Sequence, residues 1–564
     1  MTGRIARWTI PVVSTTVAIE VVPIFKLPAP ATPVARRGDP VSSPSDPAVV
    51  SPPVHVSAAG APRRIRRSIL AAAAIALLVA VAAAGSIGLG QRSTPATTAV
   101  TPGPAAASAL ADRNAPSTAP LAVGLAATPA ATGAVEGTTS TVTSVPYRWV
   151  ATTGSDASIG SQTSPWRTIQ HAVDVTPAGG VITVRGGTYA HFTVKRSGLV
   201  VQGATGETAI VSGSTYPVLV RGVTSATIRG LTIQKAPSLW GSGVRIEASK
   251  GVRIEKNSIR ENHSFGIKVK DATGSIITGN SIYSNDTGIE LSGGVAGTVI
   301  SSNRIHHNDR MVTSSRGGNG IVFTKTTGLV KVTGNKLWGN RARHLTDSGY
   351  DGGAFEVYGA SDLLITGNVL WDNNNVMETG TDGTVGCSRI TFARNVAYGP
   401  GTVARETQGL ILRCASSSLF ANNTFDGIDT FAFYVSTSGS YAGSIAGLRI
   451  ENNIVARGRA YSLGPRPTTV VIDYNLALQG GSTADYADHL AFVEGRGNTD
   501  SLAEFRAWTG YDTHGIQADP RFVDRAVHDY HLRTGSPAID KGAVVLTDTV
   551  LGAAPDIGRF ESPG

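Results

Sequence analysis

The chain has 564 residues, a formal net charge of +9 and only two cysteines. So few cysteines exclude a disulfide-framed scaffold. The charge is unevenly placed, with +7 in residues 1–92 and +3 in residues 147–564. A basic tail on a nearly balanced main region gives no electrostatic footprint for nucleic acid, which is set aside as a partner.

Residues 1–68 are rich in Pro, Ala, Val and Ser without sustained periodicity, which predicts a disordered cytoplasmic tail. The run Ile69–Gly90 contains 22 residues and no charge. As a helix it would reach about 33 Å, enough for a hydrocarbon core of about 30 Å. "RRIRR" (Arg63–Arg67) precedes it. The positive-inside bias therefore predicts a cell-membrane anchor with everything after Gly90 outside. The alternative is a signal cleaved near Ala82–Gly85, which would release a secreted protein. Residues 91–146 are Ala/Thr/Pro-rich and nearly uncharged. They read as a flexible linker with a root-mean-square span of about 40 Å.

Organised sequence begins at Tyr147. In "SPWRTIQHAV", Ser164 is the expected cap of a short helix and Pro165 its first residue, with Ile169, Ala172 and Val173 on one face. "GGVITVRGGTY" then alternates as a strand bounded by glycines. Beyond about residue 198 an asparagine recurs between hydrophobic residues, at 257, 280, 303, 335, 368, 395, 423, 453 and 475. The spacings run from 22 to 33. A floor near 22 with variable excess is the signature of a solenoid whose turns tolerate loops. A "G-I-x-Φ" strand, as at Gly266, Gly288 and Gly320, precedes the "ΦxxN" strand in each repeat. Parallel stacking at about 4.8 Å would set each Asn above the last. The Asn residues are expected to take left-handed turn positions and to hydrogen-bond along a ladder. The fold class is all-β, a parallel β-helix over 147–490 with an N-terminal helical cap and a C-terminal cap region over 491–564.

These tandem turns resemble the right-handed parallel β-helix proteins of the pectate-lyase-like superfamily. "GSDASIGSQTSPWRTIQHAV…GGVITVRGGTY" is similar to the N-terminal cap of its secreted members, and "GSPAIDKG" and "PDIGRFE" to their C-terminal end. The resemblance implies an extracellular protein acting on, or binding, polysaccharide. The acidic "DDGxDL" motif of calcium-dependent lyases has only "NDTGIEL" as its nearest text, supplying Asp286 and Glu290.

The two longest repeats place their excess just after the Asn strand, in His306–Gly318 and Arg341–Gly353. Neighbouring loops on a rigid scaffold can wall a groove, here around residues 341–382. Beside them Glu356 and Glu378 stand 22 residues apart, one bare turn, so they should stack. Two carboxylates about 5 Å apart cannot both ionise freely, and such a pair serves as acid and nucleophile in retaining glycosidases. A calcium site with Asp347, Asp351, Asp372 or Asp382 is the competing reading. For a lyase, Tyr358, Arg343 or His344 would be the base. Lys268, Lys270 and Arg341 are candidate substrate-binding cations. Hydrolase, lyase and non-catalytic carbohydrate-binding or structural module all remain open. His306 and His307 make a weak zinc pair, because adjacent residues on an extended segment point apart. Trp338 and Trp371 each follow a repeat Asn by three residues, which favours ring stacking between turns. Cys387 and Cys414 fall on neighbouring turns, within disulfide reach or as a stacked free pair.

Overall fold

The computed structural model describes residues 145–563 apart from 311–316, 342–351, 382, 400–406, 440, 466–468, 481–487 and 548–549. The proposed tail, membrane segment at 69–90 and linker therefore lie outside the described residues. Among the described residues no helix is long and apolar enough to cross a membrane.

Among the described residues three sheets of 13 strands each run the length of the domain, and every strand between the sheet ends pairs with one neighbour on either side. The first sheet begins with Tyr147–Val150, the second with Phe192–Val194 and the third with Gly187–Tyr189. Pairing is parallel throughout the turns; the antiparallel strand Gly497–Thr499 closes the second sheet. Apolar residues stack in register inside. On the first sheet Ile228, Ile254, Ile277 and Ile300 form one wholly buried column, and on the third Ile233, Ile259, Ile282 and Ile305 form another. Burying a side chain of this size contributes about 1.5–3 kcal/mol.

Each repeat holds three strands where the periodicity suggested two. The "ΦxxN" segment is a first-sheet strand such as Ile276–Thr278, a turn at Gly279-Asn280, and a third-sheet strand, Ser281–Tyr283. The asparagines are not the left-handed residues. That geometry falls on the residue before each one, as at Lys256, Ser302, Arg394 and Asn422, where φ is +51° to +54°. Asn acts through its side chain. Asn280 donates to Asn303 Oδ1 at 3.0 Å and to the Ile254 carbonyl at 2.8 Å, while its own Oδ1 accepts from the Asn257 backbone and amide. The ladder runs from Asn257 to Asn475 and ends on Asp512 Oδ1.

A second ladder, Asn262–Asn285–Asn308–Asn340–Asn373, turns the corner from the third sheet to the second. Each of its members lies five residues after one of the first.

The short helix is Ile169–Val175, and its cap is Thr168 rather than Ser164. Asp156 Oδ1 accepts from the Arg167 and Thr168 backbone N–H groups, which holds the preceding segment extended and delays the helix start. Ile169, Ala172 and Val173 are buried in the main core. At the far end Phe505, on the helix Leu502–Thr509, is fully buried and stacks on Tyr461 at 4.8 Å. The last segment does not sit over that end. Phe522, Tyr530, Ala538 and Ile557 pack instead beside Val396, Ile454, Ala456 and Leu476, on the outside of the third sheet.

Candidate functional site

Glu356 on Gly353–Tyr358 and Glu378 on Asn375–Gly380 are register partners on adjacent turns of the second sheet. Their neighbours Phe355, Val357 and Met377 are fully buried, so the carboxylates take the outer face. One outward column passes through Arg245, Lys268, Glu290, Val322, Glu356, Glu378 and Ile411. Neither carboxylate is open to bulk water: Glu356 is 7% exposed and the Glu378 side chain 15%.

Arg413 Nη1 lies 3.0 Å from Glu378 Oε1, and its guanidinium sits 5.7 Å over the Tyr434 ring. Tyr358 meets Tyr441 edge-on at 5.8 Å. Gly380, the register partner of Tyr358, leaves room for that contact, because a Cβ there would lie 3.0 Å from the Tyr358 ring and from Tyr441 Cβ. Tyr441 is 47% exposed. The carboxylate pair is therefore flanked by one guanidinium and three tyrosines on a partly dry face. Such a surface offers edge and face contacts to a pyranose ring and fixed charge at its reacting carbon.

Arg413, Tyr434 and Tyr441 were missed by sequence reasoning. The available signal was parity: Arg413 lies two residues after Ile411, the register partner of Glu378, and so faces outward. Tyr441 had no such signal, since it belongs to a connection and not to a strand.

The other candidates separate. Lys268 shares the outward column but is bound to Glu290 at 2.9 Å and rests 4.4 Å from the Phe265 ring. Lys270 is exposed in the neighbouring column. Arg341, the other candidate substrate-binding cation, is placed inward. It is 3% exposed and donates to Asp372, Asn374 and Thr407 from later turns. Asp372 is correspondingly the partner of Arg341 at 2.8 Å, which competes with its reading as a calcium ligand. Arg343, His344, Asp347, Asp351 and Asp382 lie outside the described residues. Among the described residues no group of three acidic, His or Cys side chains is arranged to hold a metal.

Cys387 and Cys414 are free, buried thiols, which corrects the disulfide alternative. The Cys387 N–H donates to Cys414 Sγ at 2.7 Å, and Cys387 Sγ donates to the Gly380 carbonyl at 3.1 Å. The hydrogen bond between the thiols lowers Cys414 to about 7 and raises Cys387. Trp338 and Trp371 stack at 4.7 Å within a column that begins at Tyr283 and His306 and continues to Tyr398 and His528. Their faces are covered by one another. His306 and His307 approach at 3.0 Å between Nδ1 atoms, and the His306 ring is sandwiched in that column.

Residues 197–370 match the family model described as "Right handed beta helix region", and residues 152–205 one described as a protein of unknown function. No curated protein matches the chain. Among solved structures, pectate lyase Pel9A is similar at 15% identity, covering 74% of this chain and 96% of that one with a TM-score of 0.44. XylC, solved in complex with xylose, is similar at 13% identity over 67% of this chain and 87% of that one, TM-score 0.45. An alginate lyase from Paenibacillus sp. str. FPU-7 is similar at 18% identity over 46% and 90%, TM-score 0.35. The stacked parallel sheets and the family match over residues 197–370 together show a right-handed parallel β-helix fold.

Proposed function

We propose that the second-sheet face around Glu356 and Glu378 processes polysaccharide by cleaving a glycosidic bond. The observation that carries this reading is the register pairing of the two glutamates. One rung of a parallel sheet separates their backbones by about 4.8 Å. Retaining glycosidases hold their carboxyl groups about 5–5.5 Å apart, whereas inverting enzymes need about 6.5–9.5 Å to admit a water. Arg413 supports Glu378 as the nucleophile, since the guanidinium bonds to that carboxylate at 3.0 Å and orients it. Glu356 is then the acid. It protonates the leaving oxygen as Glu378 attacks the anomeric carbon, and later takes a proton from the water that displaces Glu378. The aromatic surround of Tyr358, Tyr434 and Tyr441 supplies the sugar contacts. On the strength of "RRIRR" and the apolar run, the same reading holds the domain outside a membrane, anchored through residues 69–90 and linked by 91–146.

The test is incubation of the protein with acidic and neutral glycans, with and without chelator. New reducing ends lacking unsaturation, unaffected by chelator, are expected. Unsaturated ends would replace this mechanism with elimination, and binding without cleavage would leave a carbohydrate-binding module.

A further inference from the structure

A separate cavity lies on the C-terminal segment that packs outside the third sheet. It has a volume of about 620 Å³, and its wall includes Asp519, Arg521, Asp524, Arg525, Arg533 and Thr534. A hairpin builds it. Phe522–Asp524 and Asp529–Leu532 pair antiparallel, with Phe522 opposite Leu532 and both buried in the cluster beside the third sheet. Arg521 and Arg533 are the next residues out along the two strands, and the Arg533 N–H donates to the Arg521 carbonyl at 2.9 Å. By the two-residue alternation of a strand they face away from the core, side by side, and both are exposed. Arg525 opens the short 3-10 helix Arg525–Val527 that joins the strands.

Like charges directly opposite each other across an antiparallel pair are destabilising. Among the described residues these two guanidiniums bond to backbone only, Arg521 Nη1 to the Gly535 carbonyl at 3.0 Å and Arg533 Nε to the Val523 carbonyl at 3.2 Å. Arg525 is short of partners too. Its acid is Asp426, 3.4 Å away, which Arg457 already holds through two hydrogen bonds and which also accepts from Tyr530. Arg525 Nε and Nη2 are buried without a hydrogen-bond partner. The carboxylates of the wall are turned to backbone instead. Asp519 Oδ1 accepts from the Arg521 N–H at 2.8 Å, and Asp524 Oδ1 from the Ala526 N–H at 2.9 Å. A carboxylate has about four lone-pair sites, so each can accept again.

Three guanidiniums around one concavity call for an oxyanion, and two of them side by side call for one with more than a single charge, which the guanidinium fork meets best in phosphate. The cavity is larger than a bare oxyanion needs. Asp519, Asp524 and Thr534 on the same wall suit hydroxyl groups and would repel a second anion. We infer that this cavity is a binding site for the phosphate monoester of a small polyol. The phosphate lies between Arg521 and Arg533, and the hydroxyls reach Asp519 and Asp524. The site uses neither Glu356 nor Glu378 and stands independently of the catalytic reading. A ligand bonded to both strands of the hairpin also fastens the C-terminal segment in its folded form.

The test measures binding to the full chain by calorimetry, with melting curves alongside. Glycerol 3-phosphate, inorganic phosphate, glycerate and glycerol are the four probes. Glycerol 3-phosphate is expected to bind most tightly and to raise the thermal midpoint, since it binds the folded hairpin alone. Its affinity should fall at least tenfold in Arg521→Gln and in Arg533→Gln. Should either glutamine variant melt early without ligand, Arg521→Lys and Arg533→Lys carry the test: they keep the charge, lose the fork and should weaken binding by a smaller factor. Absence of glycerol 3-phosphate binding, or unchanged affinity in all four variants, would overturn the inference. So would inorganic phosphate, glycerate or glycerol binding as tightly as the ester.

Discussion

On the third sheet, Tyr283, His306, Trp338, Trp371 and Tyr398 lie ring over ring, with interplanar angles of 10° or less between successive members. On the second sheet, the outward column Arg245–Lys268–Glu290–Val322–Glu356–Glu378–Ile411 changes chemistry at nearly every turn. Both columns stand on the same rung spacing. A uniform column uses its side chains on one another and leaves only edges for a ligand. A heterogeneous one sets charged groups side by side on the outer face, as with Glu356 and Glu378. Of these two outer faces, the second-sheet face is the one on which the proposed site is placed.

The sharpest way to break that comparison is to neutralise the pair. Glu356→Gln and Glu378→Gln should each reduce kcat by about 10²–10⁴-fold or more, the range for a positioned acid or base. Thermal midpoints should stay close to the parent's, because both residues lie on the outer face of the sheet. Kinetics on a cleaved glycan with parallel melting curves would check this. Activity retained in both variants removes the site.

How much of this arrangement the sequence disclosed depends on which contacts repeat. The solenoid was legible because every turn returns an Asn to the same place, and from that single period the vertical pairing of Glu356 and Glu378 follows. The second ladder was not read, although Asn262, Asn285, Asn308, Asn340 and Asn373 keep a constant offset of five from the first. The left-handed residue was misplaced because Lys256, Ser302 and Arg394 carry no compositional mark of a positive φ. The fold-back of the C-terminal segment onto the third sheet has no periodicity to betray it. It is held by single contacts, such as Tyr530 Oη donating to Asp426 at 3.1 Å and Asn422 donating to the Asp556 carbonyl at 3.0 Å. The partners of Arg341 were hidden for a related reason: Asp372, Asn374 and Thr407 come from later turns.

Asn335 lies at the corner between the first and third sheets and tests whether the ladder holds that turn. Its side chain donates to Asn368, Ile300 and Thr333 and accepts from Asn303, all buried or partly buried. Asn335→Ala leaves several of those groups without partners, at about 1–3 kcal/mol each. A loss of roughly 3–5 kcal/mol is expected in denaturant titrations. A loss below about 1 kcal/mol would show that the ladder records the turn without holding it.

The ladder's last member gives a smaller, pH-dependent effect. Asp512 is 1% exposed, accepts from Tyr461 Oη at 2.9 Å, and is pushed up to about 6 chiefly by burial. With its folded value above the unfolded 3.8, its favourable term is fully present below about pH 3.8 and is lost as pH rises through about 6. Asp512→Asn restores the repeat residue. It should stabilise the protein at pH 8 by up to about 3 kcal/mol relative to the parent and flatten the slope between pH 4 and 6. Equal slopes in the two proteins would contradict it.

The smallest effect belongs to the aromatic column and bears on its claim to be purely structural. His306 is held down at about 4 by burial first, then by His307 and Arg304. Its ring lies 5.0 Å from Tyr283 and 4.1 Å from Trp338. Because the folded value lies below the unfolded 6.5, its stabilisation is complete above about pH 6.5 and is lost as pH falls through about 4. His306→Phe keeps a ring in the stack and removes the titration, so the variant should lose less stability than the parent between pH 6.5 and 4. Its activity toward a cleaved glycan at pH 7 should match the parent's, since the column's faces are closed to ligand. A fall in activity at pH 7 with unchanged stability would mean that the third-sheet column also takes part in binding, and the distinction between uniform and heterogeneous faces would fail.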